Sequence, residues 1–515
     1  MRFYADGPNI PSELLDARDN GEVVFFCGAG ISMPAGLPSF ASLAKDVIAE
    51  LGVPAHASSR RLLQRALDET APDFAPPMDQ VFGLLQREYS VALVEQYVSR
   101  MLRTPPKADR SFHEIVLRLS TDVSGNARLV TTNFDLLFES GKSRIRRHVP
   151  PALPDLSQEQ TLKGLVYLHG RLKGRQSAID SIQGLILGTA DFGRAYLADG
   201  WATRFVQELL ARYTVVLLGY SADDPPIRYL LEGLHSKPAI RSQRLFAFGE
   251  GPPDEVDARW RDRGVTAIPY SKADTQHSAL WNTLRAWADR ADDPIAWRSG
   301  VVELARQGPR MVRPHERGQV AALVSSPLGA KVFADADPPP PAEWLCVFDS
   351  AFRYTKPGKN WPDVGKELFD PLEVYGLDYD PPHPPEGGNQ RGPAGIDFLS
   401  SLSAEERGSS QMRLAGPFAD RSDPLPPRLH HLARWILNVV DQPVAAWWAG
   451  GKNAFHHRLQ ELIEWTLNRD SNIDAPVVHQ AWRLIIEAFE YSPEPFSRDW
   501  HDLQRQLKHQ GWTRS

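Results

Sequence analysis

The sequence predicts an α/β protein: a parallel sheet with a helical insertion, followed by a mainly α-helical C-terminal domain. Three observations predict this. Short apolar, β-branched runs at 22–27, 127–132, 165–169, 213–219, 243–248 and 265–270 alternate with helix-like segments, notably 111–120 and 197–212. Strands of that composition, separated by helices, belong to parallel sheets covered on both faces. Residues 54–120 carry apolar side chains at helical spacing. Beyond about residue 290 the composition changes, and ten of the 14 tryptophans lie there.

The elements follow in chain order. An N-terminal segment, 1–20, precedes a sheet domain over 21–290. The run Val23-Val24-Phe25-Phe26-Cys27 is its first strand, and a helix is expected from about Ala41 to Leu51. The insertion shows Leu62, Leu63, Ala66 and Leu67, then Val81, Leu84 and Leu85, then Val91, Val94, Tyr97 and Val98. Phe112, Ile115, Val116 and Leu119 mark the helix over 111–120, and Phe205, Val206, Leu209 and Leu210 that over 197–212. Residues 291–427 read as a connecting region with short elements, because proline clusters at 334–344 and 378–388. Helical periodicity returns over 428–515, in Leu429, Leu432, Trp435, Ile436 and Val439, in Phe455, Leu459, Leu462 and Ile463, and in Val478, Trp482, Ile485, Ile486 and Phe489. Such pairs suggest the start of a helical array. Trp500 and Trp512 fit either a chain cut from a longer one or a partner contact.

A chain of 515 residues exceeds the roughly 250–300 at which single cores stop growing, so several domains are expected. The net charge of −6 gives no electrostatic footprint for direct nucleic-acid binding or an anionic membrane. The local run Lys142, Arg144, Arg146, Arg147 reads as a solvated face. Two cysteines, Cys27 and Cys346, exclude a disulfide framework and point to a reducing, cytoplasmic compartment. The N-terminus shows no signal-peptide pattern, and no apolar run approaches the roughly 20 residues that span a bilayer.

The stretch GAGISMPAGLPSF, residues 28–40, joins the first strand to a helix. A strand, a glycine-rich turn and a helix N-terminus bring backbone N–H groups to one point, a seat for a pyrophosphate. In parallel sheets, ligands sit beyond the carboxyl ends of the strands. Three further motifs fall at such ends: Thr131-Thr132-Asn133-Phe134-Asp135, Tyr167-Leu168-His169-Gly170 and Gly219-Tyr220-Ser221.

These four motifs, in this order, resemble those of the sirtuin family, over roughly residues 20–285. The resemblance implies a Rossmann-like fold that binds NAD. Position for position, it implies Asn133 and His169 as the catalytic pair. It implies cofactor contacts from Gly28, Ala29, Gly30, Ser32, Pro38, Phe40, Thr132, Asp135, Gly219 and Ser221, with Ser32 and Ser221 as phosphate or ribose donors. Protein-deacylating sirtuins carry four cysteines on a structural zinc; two distant cysteines cannot build that site, so no metal is expected. A sirtuin-like domain without those cysteines, joined to a helical region, resembles the bacterial antiphage-defence sirtuins. That resemblance implies an NAD hydrolase releasing nicotinamide and ADP-ribose, a homo-oligomer, and a partner ATPase or phage-derived activator.

The residues suit that chemistry. Nicotinamide departs from its ribose as a neutral molecule, so no general acid is needed; a positioned water and a base suffice. Asn133 can orient water or ribose hydroxyls, and His169 can accept a proton. Plainer readings stand beside these. Asn133 can cap a helix beginning at Phe134, Asp223 and Asp224 can begin another, and Asp135 can fix its turn. His113 and His277 read as structural, and Cys27 as a small core residue. A zinc-free protein deacylase and an idle NAD or ADP-ribose sensor are the alternatives. A dehydrogenase fits less well, because GAGISMPAG lacks the GxGxxG spacing.

Overall fold

The computed structural model describes residues 1–67, 78–122, 124–139, 145–150, 152–156, 161–173, 178–179, 184–221, 244–261, 263–272, 274, 276–309, 311–344, 347, 431–432, 434–435, 438–439 and 442. The predicted helix start at Asp223-Asp224, and the helices expected around 455–463 and 478–489, lie outside them. Two units are distinguished: residues 6–292, and residues 1–5 with 293–515.

The first unit is a Rossmann-like α/β sheet. Its strands are β1 (Val23–Cys27), β2 (Arg128–Thr131), β3 (Arg147–His148), β4 (Gly164–Tyr167), β7 (Thr214–Leu218), β8 (Leu245–Glu250) and β9 (Thr266–Tyr270); β5 (Leu172–Lys173) and β6 (Ala178–Ile179) form a separate hairpin. The order is β3-β4-β2-β1-β7-β8-β9, and every neighbouring pair is parallel. All five residues of β1 are buried, as a central strand covered on both faces requires. Successive side chains point to opposite faces. Phe26 joins a core with Phe205, Val206 and Leu209 from α8 (Trp201–Arg212). Phe25 meets Trp287 of α10 (Ser278–Asp292) edge-on, with ring centres 5.8 Å apart.

Helix α1 (Ser12–Asp19) belongs with this sheet unit rather than with a separate N-terminal segment. The cause is Arg18, whose guanidinium donates to the carbonyls of Arg118, Leu119 and Thr121 at the end of α6 (Ser111–Ser120). The last carbonyls of a helix lack partners farther along its own chain, and Arg18, reaching over from α1, supplies donors there. The basic run is also not a solvated face throughout. Arg147 and His148 form edge strand β3, and Arg147 pairs with Glu139 at 2.9 Å.

Within 54–120 the chain folds as α3 (Ser58–Ala66), α4 (Met78–Glu88), α5 (Val91–Met101) and α6; α3, α4 and α5 share with the preceding α2 (Phe40–Glu50) an apolar core that includes Val47, Phe82, Leu85 and Val98. Ser39 caps α2 by accepting from the Ser42 N–H at 3.1 Å. Leu172 of the β5–β6 hairpin and the loop residues Phe134, Leu185 and Leu187 enter this core. Further along, α7 (Thr189–Phe192) runs into a π-helical turn, Gly193–Ala198, ahead of α8. Helix α9 (Pro253–Arg261) crosses from β8 to β9.

In the second unit, residues 294–334 are more ordered than a connecting region. They form α11 (Pro294–Arg306), α12 (Pro314–Val324) and α13 (Pro327–Ala334). Each begins on a proline, which needs no N–H at the first helical position and is preset for helical φ. Trp344 donates its indole N–H to the Ala305 carbonyl at 2.7 Å, and Trp435 donates to Pro340 at 2.7 Å.

Candidate active site

A cavity of about 470 Å³ opens along the carboxyl ends of β4, β2, β1, β7 and β8. With strands about 4.8 Å apart, that rim is roughly 19 Å long. The glycine turn after β1 stands at its middle. Of the predicted site residues, Ala29, Gly30, Ser32, Pro38, Phe40, Thr132, Asn133, Asp135, His169, Gly219 and Ser221 line the cavity, and Gly28 does not.

The glycine turn differs from the expected seat of bare N–H groups. Gly28 N–H donates to the Leu218 carbonyl at 2.9 Å, and Gly30 N–H to the Gly219 carbonyl at 3.0 Å. The glycines are needed for a different reason. A Cβ at Gly30 would stand 2.9 Å from the Gly219 backbone, and one at Gly219 would stand 2.8 Å from the Ile31 nitrogen, with φ at +76°. Two loops are pressed backbone to backbone here, and only glycine permits that approach. Tyr220 completes the clamp: its hydroxyl donates to the Cys27 carbonyl at 3.0 Å and lies 2.6 Å from the Thr132 hydroxyl. Thr132 is thereby tied to β7 and β1.

Asn133 and His169 are placed by strand register. Thr131 pairs with Tyr167 across β2 and β4, and each candidate lies two residues beyond its pair. Asn133 caps no helix. The nearest helical turn is the 3-10 segment Leu137–Glu139, and its first N–H is taken by Asp135 Oδ1 at 3.0 Å. Asn133 Nδ2 instead donates to the Gly28 carbonyl and to Ser32 Oγ, both at 3.0 Å. With the amide protons so engaged, Oδ1 is the polar atom left to accept from a ligand or water.

Ser32 is the hub of this arrangement. Its hydroxyl donates to Asp135 Oδ2 at 2.9 Å. A hydroxyl carries one proton, so the contacts from Asn133 Nδ2 and from His113 Nε2 at 3.2 Å are donated to it. Ser32 therefore has no proton to give a phosphate, contrary to the donor role expected of it. His113 is likewise more than a core histidine. Its Nε2 carries the ring proton, and its buried Nδ1 meets no partner among the described residues. Burial lowers the His113 pKa to about 4 and raises that of the Asp135 carboxyl, against three hydrogen bonds that lower it.

His169 is 2% exposed. Burial lowers its pKa to about 3, which holds the ring neutral. The ring sits edge-on to Phe192, 5.2 Å between centres, and its Nε2 lies 2.8 Å from the Tyr196 hydroxyl. Neither aromatic was signalled by a motif. They stand on α7 and the π-helical turn, 23 and 27 residues after His169 in sequence. Phe40, which lines the cavity, stacks on Phe82 of α4 at 5.0 Å.

The opposite end of the cavity is built by residues that sequence reasoning missed: Glu250, Arg259, Trp260, Tyr270 and His277. Glu250 pairs with Lys272 at 2.6 Å and lies 3.4 Å from His277 Nδ1. His277 adopts a left-handed φ of 55° just ahead of α10 and hydrogen-bonds Tyr270 at 3.0 Å, so it faces the cavity rather than merely starting a helix. The available signal was position, since β8 and β9 end on the same rim as the motifs.

Residues 127–268 match the family model described as a SIR2-like domain. Over this middle stretch the chain is similar to SIR2-like domains. Such domains bind NAD, and the rim just described is where an α/β sheet holds a dinucleotide. The uncharacterized protein y4cA of Sinorhizobium fredii (strain NBRC 101917 / NGR234) is 31% identical over 323 residues, which cover 60% of this chain. The chain spans 26% of that relative's length. Among the described residues no group of three or more His, Cys, Asp or Glu is arranged to hold a metal, and no helix is long and apolar enough to cross a membrane. Cys27 is buried within β1.

Proposed function

We propose that the SIR2-like domain hydrolyses NAD at the nicotinamide–ribose bond, giving nicotinamide and ADP-ribose. The observation that carries this reading is the register-matched pair Asn133 and His169, lining one cavity beside the glycine turn. Nicotinamide leaves uncharged, so the protein need only position a nucleophile and accept a proton. Asn133 Oδ1 orients a water or a ribose hydroxyl. His169, neutral in its aromatic wall, accepts the proton. The dry surroundings disfavour a stable imidazolium, which favours passing the proton onward. The charged far end of the rim suits the adenosine ribose hydroxyls, and a pyrophosphate between the two ends would lie over the turn after β1.

By the same resemblance the domain acts as an antiphage effector that depletes NAD in the cytoplasm. It does so as a homo-oligomer, under the control of a partner ATPase or a phage-derived trigger. The test is nicotinamide release from NAD by the purified full chain, with and without lysate from infected cells. Asn133→Ala and His169→Ala should each lower turnover by about 10²–10⁴-fold. Near-wild-type turnover in either variant would remove the assigned roles. O-acetyl-ADP-ribose formed from NAD and an acetylated peptide would replace hydrolysis with deacylation.

A further inference from the structure

His169 is neutral, so it carries one ring proton, and the nitrogen that carries it decides what the ring can do. If Nδ1 is protonated, His169 can only donate into the cavity. If Nε2 is protonated, Nδ1 presents a lone pair and can take a proton from a sugar hydroxyl or a water. Among the described residues nothing hydrogen-bonds Nδ1, whereas Nε2 meets one group, the Tyr196 hydroxyl at 2.8 Å. That hydroxyl can serve as donor or acceptor.

We infer that Tyr196 is a positioning residue: its hydroxyl accepts from His169 Nε2–H and so keeps Nδ1 as the cavity-facing base. This rests on the hydrolase reading, which requires an acceptor at that nitrogen. Tyr196 is well held for the task. It is 3% exposed and stacks on Phe192 with centres 6.0 Å apart. The Thr203 hydroxyl donates to its carbonyl at 2.7 Å. Helix α7, which leads into its turn, is tied to α4 by Gln86 on Asp191 at 2.9 Å and by Thr189 on Asp79 at 3.1 Å. π-Helical turns are rare and frequently occur at functional sites.

Tyr196→Phe removes one oxygen and keeps the ring. With its hydroxyl gone, a proton on Nε2 would be buried without an acceptor, and the ring should shift toward the Nδ1–H form, whose proton meets cavity water. The full chain labelled with 15N-histidine reports this directly in long-range 1H–15N spectra, with His169 assigned by its loss in His169→Gln. The expected result is an Nε2–H ring in the wild type and a shift toward Nδ1–H in Tyr196→Phe. The kcat for nicotinamide release should fall about tenfold or more, with KM within about twofold. A wild-type ring protonated on Nδ1 would overturn the inference, as would a variant with unchanged tautomer and kcat. The spectra need no turnover. A chain that never cleaves NAD therefore overturns the hydrolase reading, while the tautomer result still decides the role of Tyr196.

Discussion

The two flanks of the glycine turn are built on opposite principles. On the β2–β4 side, Asn133, His169, Ser32 and His113 are buried and uncharged; Ser32 joins Asn133 to His113, His169 bonds to Tyr196, and Asp135 is held by Ser32 and its own turn. On the β8–β9 side, Glu250, Lys272 and Arg259 carry charge at a more open surface. The first flank fixes atoms in a low-dielectric setting, where a misplaced donor is costly. The second can attract and orient polar groups but remains subject to screening by salt. One cavity thus separates a place for bond breaking from a place for holding.

Three experiments can break or sharpen that contrast. The largest effect should come from Ser32→Ala, which removes one of the two acceptors of the Asn133 amide and leaves Asp135 without its serine donor. A buried polar group left unmatched costs about 1–3 kcal/mol, so kcat should fall about tenfold or more while NAD binding changes little. Equal loss in kcat and in affinity would place Ser32 on the ligand instead.

A smaller effect concerns acid. Burial pushes the His169 and His113 pKa values down to about 3 and about 4, below the ordinary imidazole value of about 6.5. The unfolded chain therefore binds more protons as pH falls below about 6.5. Stability is lost through that window, by up to about 1.4 kcal/mol per pH unit for each histidine. Thermal unfolding at pH 7.0, 6.0 and 5.0 should show a falling Tm, with a shallower fall in His169→Gln. Parallel curves would mean that the ring is not held neutral.

The smallest effect belongs to the open flank. Glu250→Gln should alter KM for NAD by roughly threefold and leave kcat alone, because a partly exposed charge contributes little. Raising salt should move the wild-type KM in the same way. A change in kcat would show that the two flanks are not separate.

Much of the sheet was legible because buried parallel strands are short and apolar, as β1 and β7 are throughout most of their length. Edge strand β3 was not, since Arg147-His148 reads as charge, and only the pairing with β4 and the ion pair to Glu139 make it a strand. The three proline-initiated helices after residue 293 were obscured because proline signals a helix start as readily as a loop. At the site, the motif residues could be named and ordered in advance. Tyr196, His113 and Glu250 could not be assigned roles, because no motif ties them to the rim.

Local chemistry in the chain was enough to establish the strand-and-helix alternation and the four motifs, since both depend on neighbours close in sequence. Tertiary structure alone decided which groups meet: that the Gly28 and Gly30 N–H groups are already bonded, that Ser32 serves Asn133 rather than a phosphate, and that an aromatic 27 residues downstream of His169 touches its ring. The physical reason is that a hydrogen bond consumes a donor wherever its partner lies along the chain, and those partners become neighbours only when the parallel strands come into register.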